Sequence, residues 1–303
     1  MNKHSKPILS IQRRWVYFLV TLLFITLNLT ACADHPSILN PKGVIAFEER
    51  EILFNTVALM LIVVWAVIIM SFAFVYNYRE GNNKAEYKPE WCHSVLLESI
   101  WWGVPCVIIA IIATITWVST HKLDPYQKIS YPGEVMKVEV VALPWKWLFI
   151  YPEYDIATIN YLALPNKRQV EFYLTTDNVP MSSFMIPQLG SQIYAMAGMQ
   201  TKLHLVPTQV GRIKGVNTQY NGEGFSKMNF DVDVLEASDF AKWISEMKSK
   251  TNKLSHDQYV KVRQETFDNS QGYFKGIEPK LFHRVIMSYN SDKHPLSPVM
   301  LAD

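Results

Sequence analysis

Asn217, Asn221, Phe225 and Met228 follow one another at intervals of four, four and three residues within the stretch GVNTQYNGEGFSKM, Gly215 to Met228. That is the spacing C-x3-C-x3-H-x2-M, with which a loop can hold two copper ions. Two thiolates bridge the metals while an imidazole, a thioether and a backbone carbonyl complete the shell. Only Met228 keeps a ligand type. An amide side chain is a weak neutral ligand and a phenyl ring is none. A loop of this shape with these residues can fold but cannot hold copper.

The remaining chemistry-bearing side chains form no second constellation. His121, His204, His256, His283 and His294 are scattered, and His204 sits in an alternating stretch where a surface or hydrogen-bonded polar residue is expected rather than a ligand. Ser182 and Ser183 have no histidine or acid near them in sequence to act as the base a nucleophile needs. Acidic residues are dispersed, as on solvated faces. Nothing catalytic is inferred in this chain.

The elements that must carry the loop divide the 303 residues into an apolar first third and a normally polar remainder, an asymmetry hidden by an overall hydrophobic content of 49%. A net charge of +2 supplies no basis for a polyanionic partner, so nucleic acid binding has no support. Lys3, Lys6, Arg13 and Arg14 precede an apolar core at 15–27, and Leu29-Thr30-Ala31-Cys32 follows where a signal peptidase would cut. Leu-x-Ala-Cys resembles the bacterial lipobox. Residues 1–31 are therefore expected to be removed between Ala31 and Cys32, leaving Cys32 as a lipidated N-terminus.

After the segment 32–51, residues 52–76 and 99–120 are free of charge for 25 and 22 residues. Each exceeds the roughly 20 residues that cross a bilayer as a helix. Transmembrane helices are expected at 52–76 and 95–119, joined by a loop at 77–94 whose Arg79, Lys84 and Lys88 are offset by Glu80, Glu86 and Glu90. Charge thus gives only a modest orienting signal. Export of the N-terminus places the loop in the cytoplasm and everything after the second span in the periplasm. The three cysteines are Cys32, Cys92 and Cys106, so the exported domain has none and can build neither a disulfide nor a thiolate metal site alone.

That domain, 120–236, reads as short strands broken by Pro, Gly and Asn: MKVEVVAL, WKWLFIY, TINYLAL, QVEFYLTT, TKLHLVP and MNFDVDVL. Seven or eight strands in about a hundred residues suggest a Greek-key sandwich or barrel. In the last of them Met228, Phe230, Val232 and Val234 alternate with polar residues, as in a half-buried strand. From 237 to 303 the period turns helical, with Phe240, Trp243, Ile244 and Met247 on one face. Ser255 with Gln258 suits a capping box, and Pro279 suits the first turn of another helix.

Three stretches carry a family resemblance: WKWLFIYPE from Trp145 to Glu153, SFMIPQLGSQIYAMAGMQT from Ser183 to Thr201, and the Gly215 loop. With two spans and a lipobox before them, the chain from Cys32 to about Tyr289 resembles subunit II of the haem-copper oxidases, and more closely that of the cytochrome bo-type ubiquinol oxidases. The resemblance implies a membrane protein with a two-helix transmembrane hairpin, a mainly β cupredoxin-like Greek-key domain and a small α-helical C-terminal region.

The copper-binding members' ligand positions fall here on Ser182 (first histidine), Asn217 and Asn221 (cysteines), Gln219 (glutamate carbonyl), Phe225 (second histidine) and Met228. Five of the six are changed, which assigns the chain to the quinol-oxidising branch. Trp145 matches a tryptophan thought to receive electrons in cytochrome oxidases; with no copper beneath it, a packing role is expected. Glu98 stands at the start of the second span, where an ionisable group either snorkels to the interface or marks an ion path; the resemblance matches it to a glutamate at which protons enter a channel of subunit I. Also implied are haems and copper in subunit I and none in this chain. The partners would be subunit I, the small membrane subunits, the lipid bilayer and, through the complex, ubiquinol. The location would be the bacterial inner membrane. Two alternatives remain open: a copper-bearing subunit II of a cytochrome c oxidase, against which the missing ligands stand, and a free-standing cupredoxin-like lipoprotein acting as receptor or assembly factor.

Overall fold

The structure, a computed structural model, describes residues 38–79, 82, 89–267 and 269–290. Cys32 and the signal segment lie outside the described residues, as does His294. Two long helices come first, α1 (Val44–Asn77) and α2 (Val95–Lys122), each long and apolar enough to cross a membrane. Helix α2 starts on Ser94, whose hydroxyl accepts the Leu97 amide, an N-cap that satisfies one of the first-turn donors.

Helix α1 begins eight residues ahead of the charge-free run at 52–76, because its first turns belong to the β domain. Gly43 bridges to Pro207, the Val44 amide donates to the Val206 carbonyl (3.1 Å) and the Ala46 amide to the Leu189 carbonyl (3.1 Å). The Ser191 amide donates to Glu49 Oε1 (2.8 Å). Gly190 sits at φ +99°, and a Cβ there would lie 2.5 Å from the Ala46 nitrogen, so this close crossing admits only glycine. Lys122 Nζ meets Glu48 Oε2 at 2.8 Å, which ties the two helices at the sandwich end. Further along, every α1 side chain from 60 to 77 is exposed.

The β domain holds ten strands between Met136 and Leu235: β1 (Met136–Leu143), β2 (Lys146–Tyr151), β3 (Ile156–Ile159), β4 (Tyr161–Pro165), β5 (Val170–Thr176), β6 (Met181–Met185), β7 (Gln192–Met196), β8 (Thr201–Leu205), β9 (Gly211–Asn217) and β10 (Asn229–Leu235). The stretch TINYLAL, read as one strand, is two. Asn160, at φ 54°, turns the chain from one sheet to the other while its Oδ1 accepts the Trp147 amide (2.9 Å). Asparagine tolerates this left-handed backbone, and periodicity alone does not reveal it.

After β10 come α3 (Ala237–Ser249), β11 (Lys253–Leu254), α4 (His256–Val262), β12 (Gly272–Ile277) and α5 (Leu281–Tyr289). The C-terminal region is thus helical and also supplies two strands that the helical reading did not foresee. The sheets run β11-β12-β3-β2-β1-β5-β8 and β4-β10-β9-β6-β7. Their facing sides form one core, with Trp147, Phe149 and Phe172 from the first sheet against Phe184, Phe230 and Val232 from the second. The outer side of the first sheet is covered too, as Val141, Leu148 and Ile150 pack under Tyr259, Phe282 and Val285. This is why β2 is buried at every position whereas β10 alternates; a sheet covered on both faces loses the period of two.

Candidate functional site

The loop from β9 to β10 folds over the start of β6 and brings four of the six copper-type positions together. Ser182, Asn217 and Met228 are buried, and Asn221 is half-buried beside them. The Asn221 Nδ2 amide donates to Ser182 Oγ (3.2 Å) and Met228 Sδ (3.1 Å), and Asn217 Nδ2 donates to the same sulfur (3.3 Å). Asn217 Oδ1 accepts the backbone amides of Ser183 (2.9 Å) and Gln219 (3.1 Å). Thr218 Oγ1 donates to Ser183 Oγ (2.8 Å). Asn221 Oδ1 is buried and makes no hydrogen bond among the described residues.

The remaining two positions take no part through their side chains in this network. Gln219 contributes its backbone amide, and the Phe225 ring packs on the exposed Tyr220 with centroids 5.7 Å apart. A copper pair needs bridging thiolates and imidazoles. Here the donors aimed at the one soft atom, Met228 Sδ, are N–H groups that occupy its lone pairs instead of a metal. The residues present do not fit copper. Among the described residues no group of three or more His, Cys, Asp or Glu could hold a metal ion.

Trp145 roofs the loop at φ 58°, its indole Nε1 donating to the Asn221 carbonyl (3.3 Å). Its ring lies so close over the chain that a Cβ on Gly224 would be 2.2 Å from it. Phe267 stacks on the other side at 4.7 Å between centroids. Two residues on, Trp147 points inward against Phe184 and Phe230. Lys146 Nζ, between them, donates to the carbonyls of Val262 (3.1 Å) and Gln264 (3.0 Å). The WKW triplet therefore holds loop, core and C-terminal region at once.

Glu98 occupies the first turn of α2, at the helix end away from the β domain. Its Oε1 meets His93 Nδ1 at 2.6 Å and accepts the Ser94 amide (3.4 Å). The side chains of His93 and Glu98 are 63% and 36% exposed, so the pair is open to its surroundings. The other histidines are not brought together: His204 is buried, with Nδ1 3.2 Å from Gln169 Nε2 and Nε2 3.8 Å from Glu171, as a hydrogen-bonded polar residue rather than a surface one. Burial pushes its imidazole below the ordinary histidine range against the opposing pull of Glu171.

One polar centre escaped sequence reasoning. Asp177 is buried and accepts the hydroxyls of Tyr259 and Tyr289 (2.9 Å for the latter), with Arg263 at 3.6 Å. Burial, reinforced by this carboxylate, pushes both phenols up. The four residues are too far apart in sequence for spacing to show them. They clamp α4 and α5 to the end of β5, a structural role.

Two apolar helices followed by a two-sheet, cupredoxin-like sandwich with a loop of copper-site shape define the class, a membrane subunit of the haem-copper oxidase type. No family model matches the chain. It is 45% identical over 253 residues to the cytochrome bo(3) ubiquinol oxidase subunit 2 of Pseudomonas aeruginosa, covering 84% of this chain and 76% of that one. It is 42% identical over 256 residues to the ubiquinol oxidase subunit 2 of Acetobacter aceti, covering 84% and 83%. A solved structure, the periplasmic domain of subunit II of a Bradyrhizobium japonicum cytochrome oxidase, is similar over 39% of this chain and 96% of its own, at 19% identity and a TM-score of 0.37, too distant to carry an argument. The chain belongs to the family of subunit 2 of the cytochrome bo-type ubiquinol oxidases.

Proposed function

We propose that this chain is a non-catalytic subunit of a terminal oxidase that takes electrons from ubiquinol, reduces oxygen to water and pumps protons, and that no electron passes through its β domain. The observation that carries this is the closed cluster of Ser182, Asn217, Asn221 and Met228, whose amides hydrogen-bond to the thioether that would otherwise face a metal. Haems and copper then belong to subunit I, against which α1 and α2 pack alongside the small membrane subunits. Trp145 packs the loop and conducts nothing. Cys32 carries the lipid, the β domain lies in the periplasm, and the foot of α2 with Glu98 faces the cytoplasm of a bacterial inner membrane. Glu98 is the point at which protons enter subunit I.

The test is purification of the complex through a tag on this chain, followed by metal analysis and two donor assays. A haem-bearing multi-span partner, rapid ubiquinol oxidation and no near-infrared band of a dinuclear copper centre are expected. Oxidation of cytochrome c, or two coppers beyond that of the haem-copper centre, would overturn the reading. Recovery of this chain without haem would support a free-standing lipoprotein instead.

A further inference from the structure

We propose that Met181, Met196 and Met199 form a binding site for a soft monovalent cation, Cu(I), on the outer side of the second sheet. The site is independent of the electron donor proposed above. Strand alternation sets the direction of two of these side chains. Phe184 of β6 and Ala195 of β7 are core residues, so Met181 and Met196, each an odd number of positions away on the same strand, lie on the opposite face. They are also direct partners in the antiparallel register, and residues so paired hold their Cβ atoms about 4.5–5.5 Å apart. Both are half-buried, and Met199 is 52% exposed. The turn after β7 brings this third thioether back towards the pair. The Met199 amide donates to the Met196 carbonyl (3.4 Å), and Gly198 between them sits at φ +71°. A Cβ on Gly198 would lie 3.0 Å from Asn290 Oδ1 and 3.2 Å from Tyr289 Cβ, so the turn is held against the end of α5. The Ala197 amide donates to the Pro180 carbonyl (3.4 Å), next to Met181, and Thr175 Oγ1 donates to the Met196 carbonyl (3.3 Å). The backbone is thus fixed from β5, β6 and α5.

On that fixed backbone the side chains stay adjustable, because methionine has three rotatable bonds and a polarizable sulfur. The donor set then selects the metal. From Met181 to Met199 there is no histidine, cysteine, aspartate or glutamate. Divalent ions such as zinc, calcium or magnesium need imidazole, thiolate or carboxylate, whereas neutral thioethers suit Cu(I). The methionines that only pack look different: Met136 and Met228 are 0% and 1% exposed inside the sandwich. Binding is plain coordination, in which each sulfur donates one lone pair to the ion, no bond breaks, and no electron or proton moves. Cu(I) has a filled d shell and gives no near-infrared band, so an ion held here is distinguishable from a dinuclear copper centre.

The experiment titrates Cu(I) without oxygen into the purified, chelator-washed complex against a chromophoric Cu(I) chelator, with quinol oxidation and the haem spectrum measured alongside. The parent should take up a single Cu(I) beyond the haem-copper centre and no zinc. Ag(I), which shares the ligand preference, should show a sulfur-only shell by X-ray absorption at the silver edge. Met181→Leu, Met196→Leu and Met199→Leu keep the side-chain volume. Each should weaken Cu(I) binding by roughly 10–100-fold, no less than the loss of an outer-shell partner of a metal ligand costs, and the triple variant should bind none. Met185→Leu, on the same face but paired with Gln192, should bind as the parent does. Haem spectra and turnover should be unchanged in all of them. A parent that takes up no Cu(I) beyond the haem-copper centre overturns the site, as does uptake that survives the triple substitution. An equal loss of binding in Met185→Leu also overturns it, because the effect would then belong to the strand and not to the three thioethers.

Discussion

Of the three histidine–carboxylate pairs among the described residues, two differ in the same way as the regions that carry them. His204 and Glu171 lie 3.8 Å apart inside the β domain, both buried and both held by a sheet. His93 and Glu98 lie 2.6 Å apart at the foot of α2, where the chain is open. The cluster beneath the Gly215 loop belongs with the first pair, since nearly every polar atom there is bonded to a neighbour. A region whose polar groups satisfy one another has reached the end of its chemistry and contributes stability. A region whose polar groups remain accessible can still exchange protons with what lies outside it.

The sharpest way to break this contrast is to give the closed cluster back its ligands. A chain with Ser182→His, Asn217→Cys, Gln219→Glu, Asn221→Cys and Phe225→His places thiolates, imidazoles and Met228 Sδ around one point. It should bind copper where the parent binds none, read by metal analysis and a visible thiolate–copper band. No uptake of copper would mean that the loop's shape, as well as its residues, has diverged.

A smaller effect separates stability from turnover. Asn217→Ala leaves the buried Ser183 amide without its acceptor, at about 1–3 kcal/mol, and frees the part-buried Gln219 amide, which solvent can reach at smaller cost. Thermal unfolding of the complex should shift down, with quinol oxidation by the surviving folded fraction unchanged. Loss of turnover without loss of stability would return the cluster to the electron path.

Smaller again is the response to acid. His204 has its folded pKa pushed below the ordinary value, so the folded state prefers the neutral ring. The stability this carries is complete above about pH 6.5, the unfolded value, and is lost as pH falls through the folded pKa. His204→Gln should flatten that part of the unfolding profile. An unchanged acid limb would place the sensitivity elsewhere. Least of all is expected from Glu98→Gln on stability: an exposed pair contributes about 0–1 kcal/mol, so melting should hold while turnover falls.

Much of this was legible in one dimension. The charge-free runs at 52–76 and 99–120 announce the two helices, and the spacing of Asn217, Asn221 and Met228 announces the cluster, because both depend on residues close in sequence. Other features were not legible. Residues 44–51 belong to the segment 32–51 set ahead of the first span, yet they extend α1 into the β domain through contacts with Gly190 and Ser191. The strands at Lys253–Leu254 and Gly272–Ile277 are too short and mixed to show a period, and they exist because β3 offers an edge to pair with. His93 stands five residues from Glu98 and could have been noticed, but only a capped first turn folds the carboxylate back towards it.

The sequence by itself determined that this chain has two helices long and apolar enough to cross a membrane and that the exported-domain loop carries no thiolate. Length and apolarity are local properties, and a missing thiolate is missing in any fold. Only the tertiary structure decided that Ser182 meets Asn221, that Asp177 gathers Tyr259 and Tyr289, and that Glu98 turns to His93 rather than along the span. The first two join residues tens of positions apart, which packing of the sandwich alone can bring within hydrogen-bond distance. The third depends on a side-chain direction, which is set by the hydrogen bonds available at a helix start and not by the order of residues.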